Sequence, residues 1–592
     1  MPDINSIITG NIDIWASTVK KRRSVGRGSS KKVDLYGIKK LRSLILELAV
    51  RGLLVPQDLN DEPASDLIKR ISDAKAELIK DKKIKKQKPL PEIREEEKPF
   101  ELPKGWEWAR LGDIGIGSTG KTPRTKESSN FGGEIPFIGP GQITLGGELL
   151  QPEKFLSEEG LVNSTEAKSG DILMVCIGGS IGKSVICDKR IAFNQQINAI
   201  RPLHIASSFL HAAVSDERFY QSILDKSTGS ATPIINRSKW EELLTPICPE
   251  QEQHRIVTKV DELMALCDQL EQQQEDTIST HQILIKTLLD ALLDSASHGQ
   301  AAEGKTKFEQ AWERIAESFD TLFTTEDSID QLKQTILQLA VMGKLVPQNS
   351  NDEPASELLK RVTAEKKQLI KNGKIKKQKP LPEISTEEEP FKLPSGWVFT
   401  RLDDLCGWIT SGSTPPKPEF TQKPGVPYLK VYNIREQAIN FDYKPQFINV
   451  DWHKRKLKRS ILYPGDVVMN IVGPPLCKIA IIPDTYPEWN CNQAIVFFRP
   501  IEKALAPYIY TYLTAGVFLE KIELIGTAGQ DNISVTKSRN IVFPMPSLNE
   551  QSRILKKLDK LMSLCNQLRA RINTVQAIQI SLSDTISKQA IN

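Results

Sequence analysis

The sequence KIKKQKPLPEI occupies residues 83–93 and returns unchanged at residues 374–384. The shift between the copies is 291 residues (374 − 83), and Trp106 and Trp397 keep the same shift (397 − 106). DEPAS at 61–65 and 352–356 keeps it as well. The chain is therefore an internal duplication in which each copy is one structural unit. Two related units suit a target with two related halves, and duplex DNA read at two half-sites is such a target.

The two copies agree at their ends and differ in their middles. Gly170-Asp171 matches Gly465-Asp466 at a shift of 295 residues (465 − 170), and Cys267 matches Cys565 at a shift of 298 residues (565 − 267). Between such anchors the copies diverge over about 150 residues, which is the size of one domain. We therefore predict one shared scaffold that presents two different readers.

The predicted division of the chain follows this alternation of constant and variable parts. It consists of a helical region at 1–100, a mixed domain at 101–250, a long helix at 251–300, a second helical region at 301–391, a second mixed domain at 392–547 and a distal long helix at 548–592.

Hydrophobic spacing predicts the structure of each part. Apolar residues three or four apart between Ile38 and Leu48, followed by Gly52, predict an amphipathic helix with a glycine stop, and residues 329–343 repeat this pattern. Charged helices are predicted at 67–84 and 358–375, each ending at the Pro-Leu-Pro segment. In the variable parts, apolar runs at 172–175, 197–200 and 467–469 predict strands. The predicted fold class is α+β, with two mixed, strand-rich domains.

The tails of both copies carry apolar residues at heptad spacing. In the second copy these are Ile554, Leu558, Leu561, Cys565, Leu568, Ile572 and Val575, resuming at Leu582 and Ile586, and in the first they are Ile256, Val260, Leu263, Cys267 and Leu270. This spacing favours an antiparallel coiled coil of long helices that separates the two mixed domains. The alternative is an ordinary core helix in a bundle.

Composition argues against several classes of protein. The 592 residues contain no apolar run long enough to span a membrane, and the first residues lack the order of a secretory signal. Eight cysteines are scattered without a CxxC pair, which predicts reduced thiols and a cytoplasmic location. None of the six histidines has the spacing of a metal site. The lysine-rich run at 82–88 is either a solvated segment or a nucleic-acid contact.

The chain resembles the specificity subunits of type I restriction–modification systems, in the long form called type IB. The resemblance covers nearly the whole chain and rests on the duplicated plan and on four pairs of motifs. These are Leu-Pro-x-Gly-Trp at 102–106 and 393–397, the Gly-Asp segments at 170–174 and 465–469, Asn194-Gln195 with Asn492-Gln493, and Glu-Gln-x-Arg-Ile at 252–256 and 550–554.

This resemblance implies a non-catalytic, sequence-specific DNA-binding subunit. Its two target-recognition domains would each read half of an asymmetric, bipartite sequence in double-stranded DNA. Its helices would set the gap and dock two methyltransferase subunits and, through them, restriction subunits. S-adenosylmethionine, ATP and Mg would be held by those partner subunits, with no cofactor in this chain.

Two segments have the composition of nucleotide-binding loops. Residues 115–120 fit GxGxxG, but Pro123 follows where a helix should begin, and the second copy lacks the pattern. Residues 178–184 have one residue too few between the glycines for a P-loop, and their counterpart contains Pro474 and Pro475. A fused adenine methyltransferase would need such a cofactor motif. A helical adaptor that binds no nucleic acid would leave the two dissimilar, amide-rich domains unexplained.

The polar residues of the variable loops are the predicted DNA contacts. Asn, Gln, Arg and Lys read base edges in the major groove, while Ser, Thr and backbone amides hold phosphates. For any single residue, a turn or helix-cap role is the alternative. The first domain offers Lys121, Thr122, Arg124, Gln142, Lys183, Asn194, Gln195, Thr232 and Asn236. The second offers Ser413, Thr414, Lys430, Tyr432, Asn433, Lys478, Asn492, Gln493, Gln530, Asp531, Asn532 and Ser534.

Overall fold

The computed structural model describes residues 4–21, 33–229, 232–298, 306–421, 425–527 and 530–591. The chain divides into two compact units. Unit 1 contains residues 1–277 and 575–592, and unit 2 contains residues 278–574. Each unit therefore includes one helical region, one mixed domain and parts of both long helices.

The helical region of unit 1 is built on amphipathic helices, as the apolar spacing predicts. Ile38, Leu41, Ile45 and Leu48 are all buried, and Gly52 follows in a left-handed conformation with φ 67°. A side chain at Gly52 would collide with Pro103 and Trp106, so the glycine stop also makes room for the mixed domain. The elements are α1 (Ile4–Thr9), α2 (Ile12–Ser17), β1 (Lys20–Lys21), β2 (Val33–Asp34), α3 (Tyr36–Val50) and α4 (Ala64–Lys80).

The first mixed domain contains two four-stranded sheets and one two-stranded ladder. Its strands are β3 (Glu107–Arg110), β4 (Gly115–Thr119), β5 (Phe131–Ile138), β6 (Lys154–Leu156), β7 (Glu166–Ala167), β8 (Ile172–Val175), β9 (Ser184–Ile186), β10 (Ile191–Phe193), β11 (Ile197–Pro202) and β12 (Leu244–Ile247). Its helices are α5 (Glu158–Val162), α6 (Ser207–Val214), α7 (Glu217–Lys226) and α8 (Arg237–Glu241). The strand orders are β6-β5-β10-β7, β4-β11-β8-β9 and β12-β3. The β5–β10 pair is parallel and the other pairs are antiparallel.

The long helix α9 (Glu250–His298) follows, and then the helical region of unit 2. That region contains α10 (Lys307–Glu317), α11 (Phe319–Leu322), α12 (Glu326–Val341) and α13 (Ala355–Lys371). In α12, Ile329, Leu332, Ile336 and Leu339 are buried, which confirms the repeat of α3. The charged helices α4 and α13 begin three residues earlier and end four residues earlier than predicted. They end at Lys80 and Lys371 because the left-handed residues Lys82 and Gly373, with φ 58° and 68°, turn the chain before residues 84 and 375.

The second mixed domain repeats most of the topology of the first. Its elements are β13 (Val398–Arg401), α14 (Leu402–Leu405), β14 (Cys406–Ser411), β15 (Phe420–Thr421), β16 (Val426–Leu429), β17 (Ile434–Arg435), β18 (Ala438–Ile439), β19 (Phe447–Ile448), α15 (Val450–Arg455), β20 (Val467–Asn470), β21 (Ile479–Ile481), β22 (Asn490–Cys491), β23 (Ile495–Pro500), α16 (Ala506–Ala515), β24 (Ile525–Thr527), β25 (Gln530–Asn532), α17 (Val535–Arg539) and β26 (Val542–Met545). The order β14-β23-β20-β21 corresponds to β4-β11-β8-β9, and β19-β16-β22 corresponds to β6-β5-β10, but β15 is added beside β19 where the first domain has β7 beside β10. The duplicated, mixed fold is therefore confirmed, and α18 (Leu548–Ile591) completes the chain.

The predicted heptad residues of the long helices are buried or partly buried, with two exceptions in α18. Ile256, Leu263, Cys267 and Leu270 are buried in α9, and Ile554, Leu558 and Cys565 are buried in α18. The prediction is wrong at Val575 and Leu582, which are 53% and 41% exposed, whereas Ser583, Ser587 and Ala590 are buried instead. A straight α-helix of 3.6 residues per turn drifts away from a strict heptad, so the buried stripe moves around the helix.

The first part of each long helix contacts the helical region of the unit in which that part lies. Arg42 of α3 donates to Asp268 and Glu271 of α9, at 2.6 and 2.9 Å. Lys333 of α12 donates to Asn566 of α18. The antiparallel coiled coil of the two long helices stays a prediction.

The repeated motifs meet at the start of each long helix. In unit 1, Trp106 Nε1 donates to Glu252 at 3.0 Å, and Gln57 donates to the other oxygen of Glu252 at 3.4 Å. Arg255, one turn further along α9, donates to Asp61 of the DEPAS segment at 2.6 Å. In unit 2, Gln348 donates to Glu550 at 2.7 Å and Arg553 donates to Asp352 at 2.7 Å. The motifs are the same in both copies because their residues form the same contact cluster in each unit.

The repeated Pro-Leu-Pro-Glu-Ile segment is held by a buried arginine in each unit. Arg110, 2% exposed, donates to the carbonyl oxygens of Pro91, Glu92 and Glu242 at 2.6, 2.9 and 2.7 Å. Arg401, 3% exposed, makes the same three contacts at positions 382, 383 and 540. Each arginine also pairs with a carboxylate, Glu97 or Glu388, at 3.1 Å. A guanidinium has five N–H donors, which suits it to fastening an extended segment that lacks ladder bonds of its own.

Candidate nucleic-acid interface

The same exposed pair of side chains stands in both mixed domains. Thr122 Oγ1 donates to Gln195 Oε1 at 2.6 Å, and Thr414 Oγ1 donates to Gln493 Oε1. Both glutamines are exposed to solvent. Since each Oε1 is engaged by the threonine, the Nε2 group remains as a donor with no protein partner among the described residues. We name these pairs the Thr–Gln clamps.

Backbone contacts fix each clamp against a sheet. Gly120 N donates to Ile197 O and Lys121 N donates to Phe193 O, both at 3.0 Å. Gly412 N and Ser413 N make the equivalent bonds to residues 495 and 491 at 3.0 Å. A Cβ at Gly120 would lie 2.0 Å from Asn194 O, and one at Gly412 would lie 2.0 Å from Cys491 O. These glycines are therefore required for the close approach of loop and strand end.

The other candidate loops gather around the Asn-Gln turn of each domain. Asn194 N donates to Ile138 O at 3.0 Å, which places the loop of Gln142 beside the turn. Gln196 O accepts from Cys176 N at 2.8 Å, at the start of the loop that ends in Lys183. That loop is bonded in turn to the segment before α8, through Gly178 N and Pro233 O at 2.9 Å. The structure thus brings the predicted residues of the first domain to one end of the domain.

The second domain shows the same arrangement. Asn492 N donates to Leu429 O at 3.1 Å, and Ile471 N donates to Ala494 O at 2.8 Å. Gly473 N donates to Asp531 O at 3.1 Å, which joins the loop of Lys478 to β25. The residues at this end therefore also form one contiguous set, although most of their side chains differ from those of the first domain.

Several residues predicted to contact DNA have turn or helix-cap roles in the structure, which is the alternative given above. Asn236 and Ser534 are equivalent N-caps, and they accept from Lys239 N and Lys537 N at 2.9 and 3.1 Å. Gln142 accepts from Gly139 N at 3.0 Å. Asn433 is fully buried, accepts from Lys430 N at 2.9 Å and donates to Tyr443 O at 2.9 Å. A buried and satisfied amide cannot reach a base without unfolding its loop, so Asn433 is left out of the interface proposed below.

The remaining candidates differ in how exposed their side chains are and in what these side chains contact. Lys121 and Thr232 are exposed, and Lys183 and Lys478 are partly buried at the loop ends before β9 and β21. Arg124 is 85% exposed and pairs with Glu127 at 3.3 Å. Lys430 lies over the Phe420 ring at 5.3 Å, and Tyr432 donates to Lys444 O at 3.4 Å. Ser413 accepts from Arg459 Nη2 at 3.0 Å, and Asn194 Oδ1 accepts from Gln196 N at 3.0 Å.

Two asparagines of the second domain carry buried oxygens without a partner among the described residues. These are Asn492 Oδ1 and Asn532 Oδ1. Asp531 is exposed on β25, while the side chain of Gln530 lies outside what the structure describes. An unsatisfied buried oxygen costs free energy, so a donor brought by a ligand would stabilise either asparagine.

One basic segment of the second domain was missed by the sequence reasoning. Residues 454–459 read KRKLKR, and all five cations are exposed. The buried Leu457 anchors the segment, and Trp408 Nε1 donates to Arg459 O at 3.0 Å. Five cations in six residues are a direct signal for phosphate contact. The Gly-x-Thr-Pro repeat at 120–123 and 412–415, which forms the clamp loops, was another available signal.

The Gly-Asp motifs stiffen the sheet beneath these loops. Asp171 receives two hydrogen bonds from Arg201, at 2.8 and 2.7 Å, and Asp466 receives two from Arg499, at 2.9 and 2.6 Å. Burial raises the pKa of Asp466 and the arginine opposes that rise. Bidentate pairs of this kind fix geometry as well as charge.

The two segments that resemble nucleotide loops occupy other structures. Residues 115–119 form strand β4 and lead into the clamp loop. Residues 178–183 join the antiparallel strands β8 and β9, whereas a P-loop joins a strand to a helix. Within the described residues there is no cluster of His, Cys, Asp and Glu suited to a metal ion. No described helix is long and apolar enough to cross a membrane, and all eight cysteines are free thiols.

Comparison with known proteins agrees with the duplicated geometry. The family described as the type I restriction modification DNA specificity domain matches residues 103–280 and 394–576. The type I restriction enzyme EcoAI specificity subunit of Escherichia coli is 41% identical over 612 residues, and the EcoEI specificity subunit of Escherichia coli is 40% identical over 620 residues; each match covers 100% of both chains. The crystal structure of the HsdS subunit from Thermoanaerobacter tengcongensis is 18% identical, with a TM-score of 0.36 over 84% of this chain and 98% of that chain. On the two family matches and the full-length identities, the chain belongs to the specificity subunits of type I restriction–modification systems.

Proposed function

We propose that this chain reads an asymmetric, bipartite sequence in double-stranded DNA, one half with each mixed domain. Specificity subunits are non-catalytic, so binding is the activity to be explained. The observation that carries the proposal is the repeated topology of residues 107–247 and 398–545 with different loop side chains at the same end. One scaffold with two different loop sets predicts two different half-sites.

The constant parts support a second role, which is docking of two methyltransferase subunits and, through them, restriction subunits. Glu252 and Glu550 each accept from a glutamine, and the Arg255–Asp61 and Arg553–Asp352 pairs also match, so both units have the same framework. A duplicated framework offers two copies of one partner the same surface. We propose that S-adenosylmethionine, ATP and Mg are held by these partners, and that the whole complex works in the cytoplasm.

A domain exchange tests the reading role. Residues 105–249 would be replaced by the corresponding domain of the EcoAI specificity subunit, and the methylated sequence would be mapped in genomic DNA from cells carrying the system. The cuts lie outside the shared sheets, so the fold of the recipient is kept. We expect one half of the methylated sequence to change and the other half to stay. The matched exchange of residues 396–546 should change only the opposite half. If one exchange altered both halves, the domains would not be independent readers.

A further inference from the structure

The Thr–Gln clamps are constant where the rest of the loop surface varies. The second clamp repeats the first in its threonine, its glutamine and its glycine-framed backbone. The surrounding candidates differ in type, for example Lys121 against Ser413 and Thr232 against Gln530. A contact that is the same in two different readers should meet a feature that is the same in two different half-sites.

A cationic residue adjoins each clamp, in the chain sequence or by a hydrogen bond, but it comes from different chain positions. In the first domain Lys121 is on the clamp loop, and Ser164 Oγ donates to its carbonyl oxygen at 2.5 Å. In the second domain Ser413 is on the clamp loop, and Arg459 Nη2 donates to its hydroxyl oxygen at 3.0 Å. Arg459 is the counterpart of Ser164, because both stand six residues before the Gly of the Gly-Asp motif (170 − 164 and 465 − 459).

The cationic residue and the serine therefore stand at exchanged chain positions in the two domains. The clamp loop carries the cation in one domain and the hydroxyl in the other, while the neighbouring segment carries the reverse. A purely structural staple between threonine and glutamine would need no cation beside it. The exchange keeps a charge at the site although its residue changes, which indicates that the ligand is an anion.

The donors at each clamp suit a phosphate group. The glutamine Nε2 offers N–H donors, the neighbouring cation offers charge-assisted ones, and no carboxylate is bonded to either clamp glutamine in the described structure. The feature common to any two DNA half-sites is the sugar–phosphate backbone, since base edges differ with sequence. Resting on the DNA-reading function proposed above, we propose that each Thr–Gln clamp, with Lys121 or Arg459, binds one backbone phosphate at its half-site and reads no base.

The first test uses variants that keep the clamp fold. Gln195→Glu retains the oxygen that accepts from Thr122 but places a negative charge where the amide nitrogen stood. In the full-length chain we expect affinity for the cognate duplex, measured by fluorescence anisotropy, to fall about tenfold or more. It should fall by the same factor for a duplex with a changed first half-site. Gln493→Glu should lower the affinity in the same way, and by the same factor for a duplex with a changed second half-site. A change in the preferred bases of either half-site would overturn the proposal.

The second test transplants the exchanged pair. Lys121→Ser should weaken binding and lower the slope of log affinity against log salt by about one. Adding Ser164→Arg recreates the arrangement of the second domain and should restore both quantities. Lys189→Ser removes an exposed lysine from the turn before β10 and serves as the control for net charge. Failure of the double variant to recover, with its melting temperature unchanged, would contradict the anion site.

The third test locates the phosphate. The wild-type chain would be titrated with a series of duplexes, each carrying a single neutral methylphosphonate at a different position. The affinity of the chain should fall at one position in each half-site. The loss at the first half-site should disappear in Gln195→Glu, because the contact is already gone. Loss at every position alike would overturn the assignment of a single phosphate to each clamp. If the wild-type chain bound cognate and unrelated duplexes equally, the proposed reading function itself would fail, and this outcome is distinct from the others.

Discussion

The indole nitrogen of Trp106 donates a hydrogen bond to a carboxylate oxygen of Glu252, 3.0 Å away, and both residues are buried. The bond ties the first residues of the first mixed domain to the first turn of α9. Gln57 reaches the same carboxylate from the helical region. Three parts of unit 1 are therefore joined at the Glu252 side chain. A change in the charge of this side chain should change the free energy of unfolding.

The charge of Glu252 makes stability depend on pH. Burial raises the pKa of Glu252, and the hydrogen bonds from Trp106 and Gln57 only oppose that rise. A carboxyl whose pKa is higher in the folded state contributes stability when protonated. That contribution is complete below the unfolded pKa of about 4.3 and is lost as the pH rises through the folded pKa. Glu252→Gln should remove this part of the pH dependence and raise the melting temperature at neutral pH.

The measurement is the melting temperature of wild type and Glu252→Gln over a pH series, taken as a difference at each pH. Burial also raises the pKa of Glu550, so Glu550→Gln is the matched variant of unit 2. A difference that stayed constant from below pH 4 to pH 8 would show that the carboxyl does not titrate with a shifted pKa.

The ion pair next to this carboxyl gives a second prediction. Arg255 pairs with Asp61 at 2.6 Å, and the Asp61 side chain is only 9% exposed. Arg255→Ala leaves that carboxylate without its charged partner, so we expect a loss of about 1–3 kcal/mol of unfolding free energy. The double variant Arg255→Ala/Asp61→Ala should lose less than the two single variants together.

The matched cycle in unit 2 uses Arg553 and Asp352, which pair at 2.7 Å with the aspartate 10% exposed. Because the geometry is nearly the same, the two coupling energies should agree within about 0.5 kcal/mol. Coupling near zero in both cycles would mean that the pair is screened and contributes nothing to the cluster.

The sequence predicts this cluster only in part. Duplication, the glycine stop at Gly52 and the strand at 172–175 follow from local spacing, which needs no knowledge of distant contacts. The pairing of Asp61 with Arg255 joins residues 194 positions apart, so no local pattern indicates it. Burial of Asn433 and the approach of Arg459 to Ser413 depend on which way a loop folds back. Tertiary packing determines the direction in which each of these loops folds.

The buried Arg110 gives a third prediction. It fastens Pro91 and Glu92 by their carbonyl oxygens and pairs with Glu97. Arg110→Met keeps the apolar stem but removes every donor, so the segment around residues 89–97 should open. The Glu97 side chain is 22% exposed, so water can solvate the carboxylate that is left, and the expected loss of unfolding free energy is about 1–3 kcal/mol. Hydrogen exchange should become faster at the amides of Arg94 and Glu97, which are hydrogen-bonded within the segment, and stay unchanged at Ser385 and Glu388, where Arg401 is intact.

Arg401→Met should give the reverse pattern. Arg110→Lys tests the geometry rather than the charge, because a lysine ammonium cannot reach three carbonyl oxygens and a carboxylate in one fork. We expect the amide hydrogens of the segment to exchange nearly as fast in Arg110→Lys as in Arg110→Met. Full protection in Arg110→Lys would show that a single positive charge is sufficient to hold the segment.

The basic segment at 454–459 gives the last prediction. Its exposed Lys456 and Lys458 follow α15 and lead directly to Arg459 at the second Thr–Gln clamp, whereas the corresponding residues 159–164 of the first domain contain no cation. If the segment faces the DNA backbone, Lys456→Ala/Lys458→Ala should lower the slope of log affinity against log salt by up to about two, one for each phosphate contact. The methylated sequence should not change, because phosphate contacts carry no base information. Lys376→Ala/Lys377→Ala removes the same charge from the exposed lysine run of the second helical region and controls for net charge. Equal loss in both double variants would attribute the effect to the overall field of the protein and would remove the segment from the interface.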